Sequence, residues 1–138
     1  MDIKYSSEID NIDWIRASEL FSSVGWGLRK PEEIQSAFQT SSYVRFAYAG
    51  DLLIGFGRTV DDGKYYALIV DLVIAPEFQG KGIGSNILLY LKNSLESYIF
   101  TTLTSAVGKE SFYEKQGWYK QATSFIWPRS EKQKGDHT

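Results

Sequence analysis

A chain of 138 residues, 43% apolar and 15% aromatic, is long enough for one domain with a packed core, which excludes a disordered chain and a disulfide-stapled miniprotein. Lys and Arg number 15 against 17 Asp and Glu, so the net charge of −2 gives no overall basic field for nucleic acid or an anionic membrane. Cys is absent and the only His is His137, next to the last residue, which argues against disulfides, Cys-ligated zinc, thiolate nucleophiles, a serine–histidine triad and an H-E-x-x-H site, and agrees with a reducing cytoplasm.

The first residues, Met1 to Tyr5, hold no apolar segment that reads as a signal peptide, and Ile3 and Tyr5 suit a short strand. After Asp10 or Asn11 as a cap, Trp14, Ala17, Leu20, Phe21 and Val24 recur at helical spacing, predicting a helix near 12–23 that Gly25 and Gly27 end. Pro31 with Glu32 and Glu33 opens a second helix, with proline where no amide bond is lost and acids at the positive end of the dipole. Runs at 43–49, 52–60 and 65–74, separated by Gly50-Asp51 and Asp61-Asp62-Gly63, predict an antiparallel meander.

The third of these runs is nearly all apolar, as expected of a central strand covered on both faces; interrupted by Asp71, it is too short to span a bilayer. Helical spacing returns at Gly84, Leu88, Leu91 and Leu95, and 98–103 reads as a strand, which makes a parallel β-α-β unit. A helix is predicted at 109–116 and a final strand region at 118–127. The expected fold is α/β: a mixed sheet in which an antiparallel meander precedes the parallel unit, with helices on both faces. Residues 1–127 are expected to form a single domain and 128–138 a solvated polar tail.

The segment Gln79-Gly80-Lys81-Gly82-Ile83-Gly84-Ser85 lies where the buried strand hands over to a helix. Glycines there let backbone approach a ligand, and the free amides of a helix start attract an anion, so a phosphate site is inferred; the plainer alternative is a turn that needs glycine for its dihedral angles. Lys81 is followed by Gly82 where a Walker loop needs Ser or Thr, and Ser85 stands where a dinucleotide fingerprint needs its third glycine.

What remains, Q-x-x-G-x-G at Gln79, Gly82 and Gly84, resembles the acyl-CoA pyrophosphate loop of the GCN5-related N-acetyltransferase (GNAT) superfamily. The run from Asp71 to Gly84 is similar to that family's signature throughout, and Ser111-Phe112-Tyr113-Glu114-Lys115-Gln116-Gly117-Trp118 to its F-Y-E-K-x-G-F segment. The resemblance is strong over 65–118, moderate over 43–64 and weak over 1–42.

In that family the fourth strand splays from the fifth and pantetheine enters the gap. The resemblance therefore implies acetyl-CoA as co-substrate, main-chain contacts from Leu72, Val73 and Ile74, and pyrophosphate contacts from the amides of Gly80, Lys81, Gly82, Ile83, Gly84 and Ser85, with Gln79 shaping the turn. Tyr113 matches the tyrosine that protonates the departing thiolate, a task suited to a phenol neutral at pH 7; the alternative is a half-buried packing aromatic. Relatives often carry a Glu or His base where this chain has Val70 and Leu68, and an Asn where it has Ala106. Asp71 should face away from Leu68 and Val70 unless a bulge intervenes, and reads as a structural carboxylate. Trp26, Arg58 and the pair Tyr65-Tyr66 are candidates to line an acceptor pocket, with packing as the alternative for each.

The expectation is a cytoplasmic acyltransferase that passes acetyl from acetyl-CoA to a primary amine by direct attack in a ternary complex, on a small-molecule or peptide amine, without metal, nucleic acid or membrane. A homodimer is left open, as is the identity of the amine. The rival is a non-catalytic acyl-CoA-binding sensor or interaction domain of the same fold; a nucleotide switch fails on both phosphate motifs.

Overall fold

Alternating apolar and polar residues around two tight turns build the sheet first. In the computed structural model, which describes residues 2–138, β1 (Ile3–Ser6), β2 (Val44–Ala49), β3 (Leu52–Asp61) and β4 (Tyr66–Ile74) pair antiparallel in sequence order, and β5 (Phe100–Leu103) joins β4 in parallel. The predicted meander and crossover unit are both present. Helix α3 (Ile83–Ser94) makes the crossover.

Two further helices precede the meander. α1 (Trp14–Ser23) is capped by Asp13, whose side chain accepts from the Arg16 amide at 3.0 Å, and not by Asp10 or Asn11 as the sequence suggested. Asn11 instead takes a left-handed turn (φ 62°), which lets Ile12 bury ahead of the cap in the position of a hydrophobic staple. α2 (Pro31–Thr40) starts on Pro31 as predicted.

These elements cover both faces of the sheet. On one, Phe21 of α1 and Phe38 of α2 meet Phe56 and Phe46 of the strands, with ring centroids 5.2–5.6 Å apart and all four side chains essentially solvent-free. Burying each such ring contributes on the order of 1.5–3 kcal/mol, so this aromatic layer anchors the helices. On the other face α3 presses so closely that a Cβ on Gly57 would lie 3.0 Å from Leu91 Cδ1 and 3.1 Å from Ile87 Cγ2. Glycine at 57 is what lets α3 dock on β3.

The chain divides into two compact units, the first ending at Leu103 and the second spanning Thr104–Thr138. In the second, α4 (Glu110–Lys115) falls where a helix was expected. One expectation fails there. Residues 118–127 form no strand: a turn, with the Ser124 amide on the Gln121 carbonyl at 3.5 Å, interrupts the run, and Tyr119 and Phe125 are more than nine-tenths exposed. Strand-forming residues become a strand only where a neighbour takes their ladder bonds. The polar terminal segment, expected as a solvated tail, carries helix α5 (Glu131–His137), exposed along its length except at half-buried Gln133. Its reasons are local: Ser130 caps the Gln133 amide at 3.0 Å, the Gln133 side chain returns to the Arg129 amide at 2.7 Å, and Lys132 pairs with Asp136 one turn on.

Candidate active site

The site is built around β4. Its ladder with β3 runs from Ala67 to Val70, skips, and resumes at Val73, so Asp71 and Leu72 stand opposite the single residue Gly57. This is a β-bulge, and Asp71 takes the left-handed backbone conformation (φ 55°) that Asp tolerates better than most side chains. The bulge overrides simple alternation. Asp71 turns to the face that carries Arg58, the same face as Val70, while Leu72 lies toward Gly57 and α3.

Pairing with β5 ends at Ile69 and Leu103, although β4 continues to Ile74. Beyond that point the β5-side edge of Val70–Ile74 has no strand beside it. The Ala75 amide bonds the Ile54 carbonyl of β3 at 2.7 Å, so strand alternation puts the amides of Leu72 and Ile74 on the edge away from β3. The Ile74 carbonyl on that edge is taken by Gln79 Nε2 at 3.0 Å, which ties the following turn back to the strand. Gln79 therefore shapes the turn, as the motif implied.

From there a single 3-10 turn (Pro76–Phe78) leads into the glycines. Gly80 and Gly82 have φ of +78° and +82°, values that favour glycine, and a Cβ on either would meet nothing within 4 Å. Here the dihedral need and an open approach to the backbone coexist. Gly82 caps α3 without a side-chain hydrogen bond, and the first intrahelical bond is Asn86 amide to Gly82 carbonyl at 3.1 Å. The amides of Ile83 and Gly84 thus begin the helix with no helical acceptor, at the positive end of its dipole. Lys81 is exposed beside them. β4, the 3-10 turn and α3 so bring Leu72, Val73, Ile74 and the whole run Gln79–Ser85 into one continuous strip.

Both carboxylate oxygens of Asp71 are engaged by arginines. Its Oδ2 accepts from Arg58 Nε at 2.7 Å and its Oδ1 from Arg29 Nη1 at 3.1 Å, with the carboxylate side chain only 9% exposed. The structural reading of Asp71 stands. Arg58 is drawn into this cluster, and Arg29 and half-buried Trp26 lie along it, the Arg29 guanidinium 4.2 Å from the Phe21 ring and 5.8 Å from that of Trp26. Tyr65 and Tyr66 are not part of it: both are exposed, near the opposite end of β4. Arg29 escaped the sequence reading because Leu28-Arg29-Lys30 carries no motif; only the fold brings it to β4.

Tyr113 sits on α4 in the second unit, half-buried, its ring 5.0 Å from Phe112 in edge contact. Burial pushes its phenol above the ordinary value, which keeps it a neutral donor at physiological pH. Ala106 precedes α4, its carbonyl bonded by the Lys109 amide at 3.1 Å.

No helix among the described residues is long and apolar enough to cross a membrane, and no group of three or more acidic, His or Cys side chains among them is placed to hold a metal ion. A bulged central strand that loses one partner thus runs into a glycine-capped helix. Residues 26–126 match the acetyltransferase (GNAT) domain family, and the chain belongs to it. It is 33% identical over 122 residues to the uncharacterized N-acetyltransferase ycf52 of Pyropia yezoensis, covering 84% of this chain and 70% of that one. A ycf52-like counterpart in Prochlorococcus marinus is 32% identical over 118 residues, 81% of this chain and 66% of that one. In fold, the chain is similar to a probable acetyltransferase from methicillin-resistant Staphylococcus aureus (TM-score 0.82, 19% identity, 94% and 100% of the two chains). A putative acetyltransferase from Deinococcus radiodurans gives a TM-score of 0.80 at 22% identity, over 93% and 89% of the two chains.

Proposed function

We propose that this member of the family transfers acetyl from acetyl-CoA to a primary amine by direct attack within a ternary complex, in the cytoplasm. The observation that carries the reading is the end of the β4–β5 ladder at Ile69, just before the strip that leads to the glycine turn. The strip fits the co-substrate by its own features: main-chain donors on an unpaired edge, glycine backbone open to approach, and a helix start that no side chain of its cap residue closes. Acetyl-CoA supplies the activated thioester carbon that the amine attacks.

The chain's residues have separate tasks in this reading. Leu72, Val73 and Ile74 hold the pantetheine arm by main-chain hydrogen bonds, and Gly80, Lys81, Gly82, Ile83, Gly84 and Ser85 hold the pyrophosphate. Gln79 keeps the turn in place through Ile74. Tyr113 donates its proton to the leaving sulfur, as a phenol that stays neutral at physiological pH can. With Val70 and Leu68 in the usual base positions and both oxygens of Asp71 engaged by arginines, the amine proton leaves through water or the amine binds already neutral.

That missing base also favours a second reading, a sensor that binds acyl-CoA without turnover. The test is acetyl-CoA binding by calorimetry followed by a CoA-release assay over a panel of amines. Binding with turnover supports the enzyme, binding with none across the panel supports the sensor, and absence of binding rejects both.

A further inference from the structure

We propose that the cavity beside Asp71 takes an acceptor that carries a carboxylate or phosphate group besides its amine, with Arg29 recognising the anion; this rests on the acetyl-transfer reading above. The cavity has a volume of about 270 Å³ and lies wholly within the first unit, walled by Phe21, Leu28, Ile34 and Phe38, with Arg29, Glu33 and Asp71 as its charged lining. Leu72, the start of the co-substrate strip, is the residue after Asp71. A molecule in the cavity is therefore next to that strip, and the volume limits it to a small one.

The charges decide its chemistry. Two guanidiniums, Arg29 and Arg58, share the single carboxylate of Asp71, and Glu33 is the other carboxylate along the cavity. Both oxygens of Asp71 are engaged, so it has little left to offer an ammonium. Arg58 gives its remaining bond to Ser41 Oγ at 3.3 Å and its side chain is 16% exposed. Arg29 differs: its side chain is 41% exposed, and its bond to Asp71 is its only side-chain hydrogen bond among the described residues. Most of its N–H donors are thus uncommitted in a group that lines the cavity.

Arg29 is also held in place before any ligand arrives. Asp71 fixes one edge of its plane, the Phe21 ring supports the guanidinium at 4.2 Å, and the Ser18 hydroxyl donates to its carbonyl at 2.5 Å. A planar fork fixed in this way loses little freedom on gripping a carboxylate or phosphate with two parallel hydrogen bonds. Glu33, exposed on α2 and also along the cavity, gives its rim the opposite sign. A small molecule bearing both charges matches this arrangement, its anion on Arg29 and its ammonium toward Glu33.

The test compares matched acceptors, an α-amino acid against the amine lacking its carboxylate and an aminoalkyl phosphate against the amino alcohol, in wild type, Arg29→Gln and Arg29→Lys. Wild type is expected to favour the anionic member of a pair by about tenfold or more in kcat/KM, Arg29→Gln to reduce that ratio to within about twofold, and Arg29→Lys to retain part of it. Which pair shows the preference separates carboxylate from phosphate. A wild-type ratio near one, or the same ratio in Arg29→Gln, overturns the proposal. Acetyl-CoA affinity on each preparation reports whether the variant is folded. In parallel, NMR titration with inorganic phosphate and with acetate reads the cavity directly: shifts confined to its residues and lost in Arg29→Gln support the site, and their absence in wild type overturns it. If no amine releases CoA, acetyl transfer fails and this titration still decides the role of Arg29.

Discussion

From Ala67 to Ile69, β4 has a strand on each side; from Val70 to Ile74 it keeps only β3. Both stretches are apolar and rich in branched residues, so composition does not separate them. The neighbours do. β5 is only four residues long and runs out at Leu103, and the bulge at Asp71 re-aims the second half of β4 just where it loses that partner. The doubly paired half is a structural element of the sheet, and the singly paired half leaves main-chain groups for something else to bind. Where a strand's hydrogen bonds go, more than what its side chains are, separates scaffold from site.

The largest effect that would break this contrast is at the bulge. Asp71→Ala leaves two guanidiniums without their shared carboxylate and places an alanine at a left-handed φ; a loss of about 3–5 kcal/mol in denaturant unfolding is expected. Asp71→Asn, which tolerates that conformation, should lose less. Equal losses would mean that the carboxylate charge and not the backbone conformation is what Asp71 supplies.

Next is the glycine turn. Gly82→Val puts a branched side chain where φ is +82° and where the space above the backbone is open, so neighbouring packing survives while approach of a pyrophosphate is obstructed. Acetyl-CoA affinity is expected to fall by about a hundredfold or more in calorimetry, about 2.7 kcal/mol, with the variant still folded by circular dichroism. Wild-type affinity would reduce the loop to a turn. In the second unit, Tyr113→Phe is expected to lower kcat by about a hundredfold with little change in KM or acetyl-CoA affinity, since the hydroxyl acts only as charge develops on sulfur. A change within about threefold would assign Tyr113 to packing.

The smallest effect tests the paired end of the sheet. Asp61, at the end of β3, is pushed up by burial, but hydrogen bonds from Tyr98, Ser42, Thr59 and the Gly63 amide outweigh this and hold it below its usual value. The same bond to Asp61, with burial, raises the Tyr98 phenol to about 12. A group whose folded pKa is raised contributes stability that is complete below its unfolded pKa near 10 and lost as pH rises from there toward 12. Tyr98→Phe should flatten the alkaline limb of stability over that window and leave acetyl-CoA binding alone.

Much of this was legible in the sequence because the signals were local. The turns at Gly50 and Gly63, Pro31 at a helix start, the branched run of β4 and the glycine series each specify their structure within a few residues. What was not legible depended on partners distant in the chain. Arg29 gains its meaning 42 residues away at Asp71, the bulge appears only in the register with β3, and residues 118–127 have strand composition without a ladder. In residues 131–137 apolar periodicity is absent, yet a cap at Ser130 and an ion pair suffice for a short exposed helix within the polar tail.

The most direct measurement is amide hydrogen exchange along β4, with and without saturating acetyl-CoA. Without it, the amides of Leu72 and Ile74 should exchange faster than those of Ala67 and Ile69, because their edge of the strand faces no neighbour. With it, they should slow by about tenfold or more while Ala67 and Ile69 change little. Exchange at Leu72 and Ile74 that acetyl-CoA leaves untouched, in protein shown to bind it, would contradict the proposed cleft.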